Sequence, residues 1–295
     1  MNSNTFQKPS LLAWGLLILL ALIWGSSFII IKKGLEIFSP AQVASIRVSS
    51  GYLILLVFAA RNFRSIQTKK WKYLFISGFT GIFIPAFFFA FAQIGLSSSL
   101  TAVLNTLTPL FTLIIGVLFF NQKTTFFKVL GVIIALFGAV GLILLSSKTG
   151  KLAFNYYALF VIGSTIFYGF NVNLTKNYLN DIKALHLTSF SLFLIGPLAI
   201  IALLANNTPQ TVLTVPNAET VLGYLIFLGI TSTALAMILF NKLLQISSPI
   251  FASSVTYLIP IVAILWGIWD GEQLKLIHFA CIGVILSGVW MVNSK

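Results

Sequence analysis

Apolar stretches long enough to cross a lipid bilayer follow one another along this chain with hardly any sequence between them. A helix rises about 1.5 Å per residue, so a hydrocarbon core of about 30 Å asks for about 20 mostly apolar residues. Ten stretches reach that length, at 11–31, 41–60, 72–93, 98–120, 126–146, 153–175, 184–205, 220–240, 248–268 and 274–292. In lipid every backbone N–H and C=O must be satisfied internally, and continuous apolar runs do this as helices. Only 8% of the 295 residues are charged, against about 25% in a soluble domain. The expected class is therefore an all-α integral membrane protein. The first run exceeds the 7 to 15 apolar residues typical of a cleaved signal peptide, so it is expected to stay as the first span. The longest link, Asn206 to Ala218, carries Pro209 and Pro216 and reads as a surface loop.

A net charge of +13 would suggest nucleic acid in a soluble protein, but here the basic residues sit between the apolar runs and report topology. With both termini on the cytoplasmic side, the inner segments hold Lys8, Arg61, Arg64, Lys69, Lys70, Lys72, Lys123, Lys128, Lys176, Lys183, Lys242 and Lys295. The outer loops hold Lys32, Lys33, Lys148, Lys151 and Lys275. That bias predicts a multi-pass protein of the plasma (inner) membrane with cytoplasmic termini, lipid as its surroundings and no nucleic-acid partner. The lone Cys281 excludes an intrachain disulfide.

Within this string the chain repeats itself. Sliding it by 151 positions lays Tyr73, Leu74, Gly78, Thr80, Phe89, Ser97, Leu107, Pro109 and Gly116 on Tyr224, Leu225, Gly229, Thr231, Phe240, Ser248, Leu258, Pro260 and Gly267. A shift of 144 lays Gly25, Lys32 and Leu35 on Gly169, Lys176 and Leu179. The shifts map the third and fourth spans onto the eighth and ninth, which predicts a five-helix repeat over 1–148 and another over 149–295. Five crossings are an odd number, so the second repeat is expected to enter the membrane inverted. Such repeats are a transporter architecture, with the substrate near the midplane between them.

The stretches ALIWGSSFIIIKKGLE (with Pro40 and Arg47 beyond it), AQIGLSSSLTAVLNTLTPLFT and GITSTALAMILFNKLLQISSPIFASSVTYLIPIVA, then Gly271 and Glu272, resemble the EamA-type permeases of the drug/metabolite transporter superfamily. The resemblance implies ten helices in two inverted repeats around a central cavity lined by helices 1, 3, 4, 6, 8 and 9. It also implies small metabolites, amino acids or drugs as substrates. One departure is Asn121, which falls on the family's acidic position in the first repeat, while Glu272 keeps that position in the second.

Proline cannot donate to the carbonyl four residues earlier, so Pro109 is expected to free the carbonyl of Asn105, and Pro260 that of Thr256. Both points lie near mid-membrane, where such backbone is tolerated if it finds a partner in protein or lines a wet cavity. Thr101, Asn105, Thr108 and Thr112 form one polar stripe by spacing, although Thr hydroxyls commonly bond the preceding turn or a neighbouring helix. Thr165, Tyr168, Asn171 and Thr175 form another, with Trp24 and Ser27 at equivalent places on the first span. Aromatic rings beside hydrogen-bonding groups suit an amphipathic ligand, while packing or interfacial anchoring is the alternative for Trp24 and Tyr168. Arg47 is the one charge well inside a span; it can hold a substrate carboxylate, snorkel outward or bind neighbouring helix ends. The candidate substrate site is thus Trp24, Ser27, Arg47, Asn105, Tyr168, Asn171, Thr256 and the adjacent Tyr257, with Pro109 and Pro260 as helix breaks.

No Asp or Glu falls mid-span, and His186 and His278 lie near span ends. Proton relays through membranes use such groups, so facilitated diffusion or exchange is expected. Gly131 with Ala135, and Gly283 with Ser287, are small-xxx-small pairs that serve packing within the bundle or a homodimer. The expected function is a secondary transporter exporting small metabolites such as amino acids, without cofactor or metal. A drug efflux carrier or a passive pore is the alternative. A membrane enzyme fits least, because one Cys and two scattered His assemble no nucleophile, base or metal set.

Overall fold

The computed structural model describes residues 10–63, 66–145 and 154–293. Lys8, Arg64, Lys148, Lys151 and Lys295 of the charge count, and the division between 148 and 149, lie outside the described residues. Among the described residues nine helices are long and apolar enough to cross a membrane: α1 Leu11–Gly34, α2 Pro40–Arg61, α3 Thr68–Ala92, α4 Ser98–Phe120, α5 Phe126–Leu145, α6 Ala158–Tyr178, α7 Ala184–Ala205, α8 Ala218–Ile246 and α9 Pro249–Trp269. A shorter apolar helix, α10 (Leu276–Asn293), follows. Among the described residues there is no strand.

The helix starts follow from local chemistry. Ser10, Ser39, Ser97 and Ser248 accept hydrogen bonds from the N–H groups of Ala13, Gln42, Leu100 and Phe251, which satisfies donors that have no partner within the helix. Ser97 and Ser248 match at the offset of 151, so that identity has a physical cause. The expected loop from Asn206 to Ala218 is corrected, because it contains a two-turn helix, Thr208–Thr214. Pro209 sits in its first turn, where a missing N–H costs nothing. Hydropathy also ends α8 six residues early: the helix runs on through Asn241, whose amide donates to Thr188 of α7 at 2.9 Å.

α2 lies along α7, α5 along α10, and α4 against α9; α1 packs on α8 and α9 much as α6 packs on α3 and α4. Small residues decide how closely. A Cβ on Gly25 of α1 would meet Val262 of α9 at 2.6 Å, and one on Gly169 of α6 would meet the backbone of Phe111 and Thr112 of α4 at 2.7 Å. Gly25 matches Gly169 at one offset and Phe111 matches Val262 at the other, so the same close approach is built twice. Gly131 and Ala135 are used up inside the α5–α10 pair, where they face Gly288, while Gly283 meets nothing within 4 Å.

Gly169→Ala must push two backbones apart, and overpacking of this kind costs about 1–3 kcal/mol. The variant is therefore expected to lower the melting temperature in detergent by several degrees, with Gly283→Ala as a control that melts with the parent. Equal melting of the two would refute the close approach.

Candidate functional site

Four interruptions of the α-helical ladder frame the interior. α3 and α8 each widen into a π turn, at Phe79–Phe83 and Gly229–Leu235. α4 and α9 each tighten into a 3-10 turn, at Asn105–Leu107 and Ser254–Tyr257. The tight turns precede Pro109 and Pro260, whose missing N–H groups end the regular ladder. Wide and tight turns of this kind recur at functional positions because they release backbone groups from the ladder.

Between these interruptions lies a cavity with about 60 Å³ open to water centres. Trp24, Ser27, Arg47, Asn105, Tyr168, Asn171 and Thr256 all line it. Tyr257 does not: its hydroxyl donates to the Val289 carbonyl of α10 at 3.5 Å. The proline-freed carbonyl of Asn105 is also taken, by the Thr108 hydroxyl at 2.8 Å, and Asn105 and Thr108 are the polar residues that α4 brings to the wall. Thr101 and Thr112 bond back to Ser97 and Thr108 within their own helix, and Thr165 to Ile162. For these three the packing role holds.

The π turn of α8 positions two of the lining side chains. Its Ser232 carbonyl accepts from the Trp24 indole at 3.0 Å, and its Thr233 hydroxyl accepts from Arg47 Nε at 2.9 Å. Arg47 is 9% exposed, and among the described residues no acidic side chain lines the cavity or pairs with it. A buried cation without a carboxylate is costly. Asn171 offers the complementary deficit: its Oδ1 is buried with no partner. Gly81 makes room for it, since a Cβ there would lie 2.3 Å from Asn171 Nδ2.

The walls are aromatic. Trp24 packs on Phe240 with ring centroids 5.4 Å apart, and Tyr168 stacks on Phe89 at 5.9 Å. Each contact joins α1 to α8 or α6 to α3. Phe89 and Phe240 were visible in the sequence as a repeat identity but carried no polar cue. Met237, Ser253 and Val255 also line the cavity, without any signal of that kind.

At one end of the cavity α1, α4 and α9 are tied together. Glu272, whose side chain is 5% exposed, accepts from Ser98 N and Oγ at 2.9 and 2.7 Å and from Ser99 N and Oγ at 3.1 and 2.6 Å. An anion on the N-terminus of α4 meets both free N–H groups and the favourable helix dipole. The Lys32 ammonium bridges Glu272 at 3.0 Å and Asp270 at 2.6 Å, and Lys33 bridges Asp270 and Glu36. Burial by itself would raise the Glu272 carboxyl, but the Ser99, Ser98 and Lys32 donors outweigh it and hold the group down at about 2.

The matching turn after α4 corrects the sequence alignment. Asn121 (φ 53°) and Gly271 (φ 81°) are the left-handed residues of the two turns. The next residues, Gln122 and Glu272, donate their N–H groups to Gly116 and Gly267 at 2.9 and 2.8 Å. Gln122, not Asn121, is thus the counterpart of Glu272, because the second turn is one residue shorter. Its amide donates to Asn173 of α6 at 2.8 Å.

A carboxyl held below its ordinary value stabilises the fold fully above about pH 4.5 and loses that contribution as pH falls toward about 2. The melting temperature of the parent should therefore exceed that of Glu272→Gln by a constant margin from pH 6 to 8, and the margin should shrink between pH 4.5 and 3. A margin that grows on acidification would overturn this assignment of charge.

The family model for EamA-like transporters matches residues 11–144 and again 155–294. An uncharacterized transporter of Archaeoglobus fulgidus is 28% identical over 283 residues, covering 96% of this chain and 99% of its own. The inner membrane transporter YedA of Escherichia coli K12 is 27% identical over 292 residues, 95% of this chain and 90% of that one. A protein of Streptantibioticus cattleyicolor named as a probable terminal-alkyne amino-acid exporter is 20% identical, over 98% of this chain and 95% of its own. A solved crystal structure superposes with a TM-score of 0.63 at 14% identity, over 95% of this chain and 96% of that one, which shows a shared fold.

Proposed function

Because the chain belongs to the EamA-like transporter family, we propose that this multi-pass membrane protein is a secondary transporter that exports small metabolites such as amino acids. It works across the plasma membrane by alternating access, with the cavity between the α3, α4, α8 and α9 interruptions as the substrate site. The observation that carries this reading is the buried Arg47 in an aromatic cavity without an acidic lining residue. A substrate carboxylate supplies the missing counter-charge, which a guanidinium fork fits. The unpartnered Asn171 Oδ1 accepts from the ammonium, and the aromatic walls take an apolar side chain. The amino-acid exporter among the relatives belongs to the same substrate class.

A water needs about 10–15 Å³ of such space, so the cavity as it stands holds only a few waters and substrate enters when one end parts. The proposed arrangement is ten helices in two inverted five-helix repeats, with the termini and the Lys176 end in the cytoplasm. The interruptions, capping serines and glycine contacts recurring at offsets of 151 and 144 support it. Transport then proceeds by facilitated diffusion or exchange, since among the described residues no carboxylate lines the cavity to relay a proton.

Asn105→Ala, Thr256→Ala and Arg47→Gln are each expected to lower labelled amino-acid counterflow in proteoliposomes by about tenfold, the equivalent of one lost hydrogen bond to a charged group. The Asn105 and Thr256 variants should melt with the parent. Acceleration by preloaded substrate distinguishes a carrier from a pore. Full activity in all three variants would remove the cavity from the transport path.

A further inference from the structure

The offset that lays Gly25 on Gly169 also lays Lys32 on Lys176, yet the two lysines end in different company. Lys32 reaches from α1 to Asp270 and Glu272 beyond the end of α9, and Glu272 continues the tie to α4. This bond joins the first 145 residues to the second set of helices, across the cavity. Lys176 instead donates to the carbonyls of Leu244 and Ser247, each at 2.8 Å. Both partners belong to the same later set of helices as Lys176 itself, so Lys176 does not bridge the two sets. At that end Lys70 of α3 does, donating to Asp181 at 2.8 Å and to the Tyr178 carbonyl at 2.7 Å, but the Asp181 side chain is 62% exposed, and a solvent-exposed pair holds weakly.

The two lysines also mark opposite ends of one helix. Ser247 precedes α9 and Asp270 follows it, and its 21 residues span about 30 Å. The turn that would have to supply Lys176 with acids carries Asn121 and Gln122 in place of charged residues. The cross-tie at that turn is neutral, from Gln122 to Asn173, whose amide in turn donates to the Thr112 carbonyl of α4 at 2.8 Å. Charge-assisted hydrogen bonds are roughly twice as strong as neutral ones, and the Lys32 end has five donors on one carboxylate.

We propose that Lys32 and Lys176 are unequal latches at the two ends of the cavity. The buried Lys32–Asp270–Glu272–Ser98/Ser99 tie bolts its end, and the Lys176 end, held by amides and the solvent-exposed Lys70–Asp181 pair, is the one that yields first. Without substrate the protein rests closed at the Lys32 end. The use of this asymmetry in transport rests on the alternating-access reading, but the resting geometry can be measured with no substrate at all.

The test uses full-length protein with Cys281→Ser and a single reporter, Ser253→Cys, on the cavity wall. Labelling by a membrane-impermeant thiol reagent is timed in right-side-out and inside-out vesicles. The parent should label about tenfold faster from the Lys176 end, and Glu272→Gln or Lys32→Met should bring the two rates within about twofold by opening the other end. Gln122→Glu, which places a carboxylate on the turn beside Asn173, three residues along α6 from Lys176, should slow labelling from the Lys176 end severalfold. Equal rates in the parent, or a ratio unchanged by both Glu272→Gln and Lys32→Met, would overturn the latch. If Glu272→Gln fails to fold, Lys32→Met and Gln122→Glu decide. A parent with the expected ratio but no amino-acid counterflow would overturn the transport reading and leave the latch standing.

Discussion

Everything in the interior follows from the requirement that backbone groups surrounded by apolar side chains find partners inside the protein. An uninterrupted helix meets it at every residue and leaves nothing for a ligand. Here α3, α4, α8 and α9 each depart from α-helical geometry, and freed carbonyls find side-chain donors. The Thr108 hydroxyl takes the Asn105 carbonyl, and the Trp24 indole takes the Ser232 carbonyl. The cavity lies where these breaks converge, so its polarity is a product of helix geometry as much as of side-chain choice.

The same solutions appear twice with changed chemistry. Trp24 on Phe240 corresponds to Tyr168 on Phe89, and Gly25 against Val262 corresponds to Gly169 against Phe111. Charge does not follow this pattern. Among the described residues Arg47 has no basic or acidic counterpart in the lining, and the turn equivalent to that of the buried Glu272 tie offers the amide of Gln122 instead. A shape repeated with unequal charge makes the two ends of the molecule energetically different while keeping them sterically alike. Such inequality can set the direction in which a symmetric bundle prefers to open.

The sequence by itself determined whatever depends on near neighbours: span length, the serine caps, the proline interruptions and the repeat that predicts them in pairs. Seven of the eight proposed residues line one cavity because their depth was legible from distance along each helix. Distant contacts were decided only by the tertiary structure. The π turn of α8 contains no proline to announce it, Tyr257 turns to α10 because Val289 is there, and Gly288 matters only because Gly131 lies opposite. Hydropathy missed the Thr208–Thr214 helix, since two turns with a polar face carry no membrane signal. An ungapped offset misplaced Gln122, since a turn one residue shorter shifts the alignment after Gly267 without changing the fold. Periodicity and capping act over a few residues and are written in order, whereas the partners of Arg47, Glu272 and Lys176 lie from 68 to 240 residues away and exist only once the helices have packed.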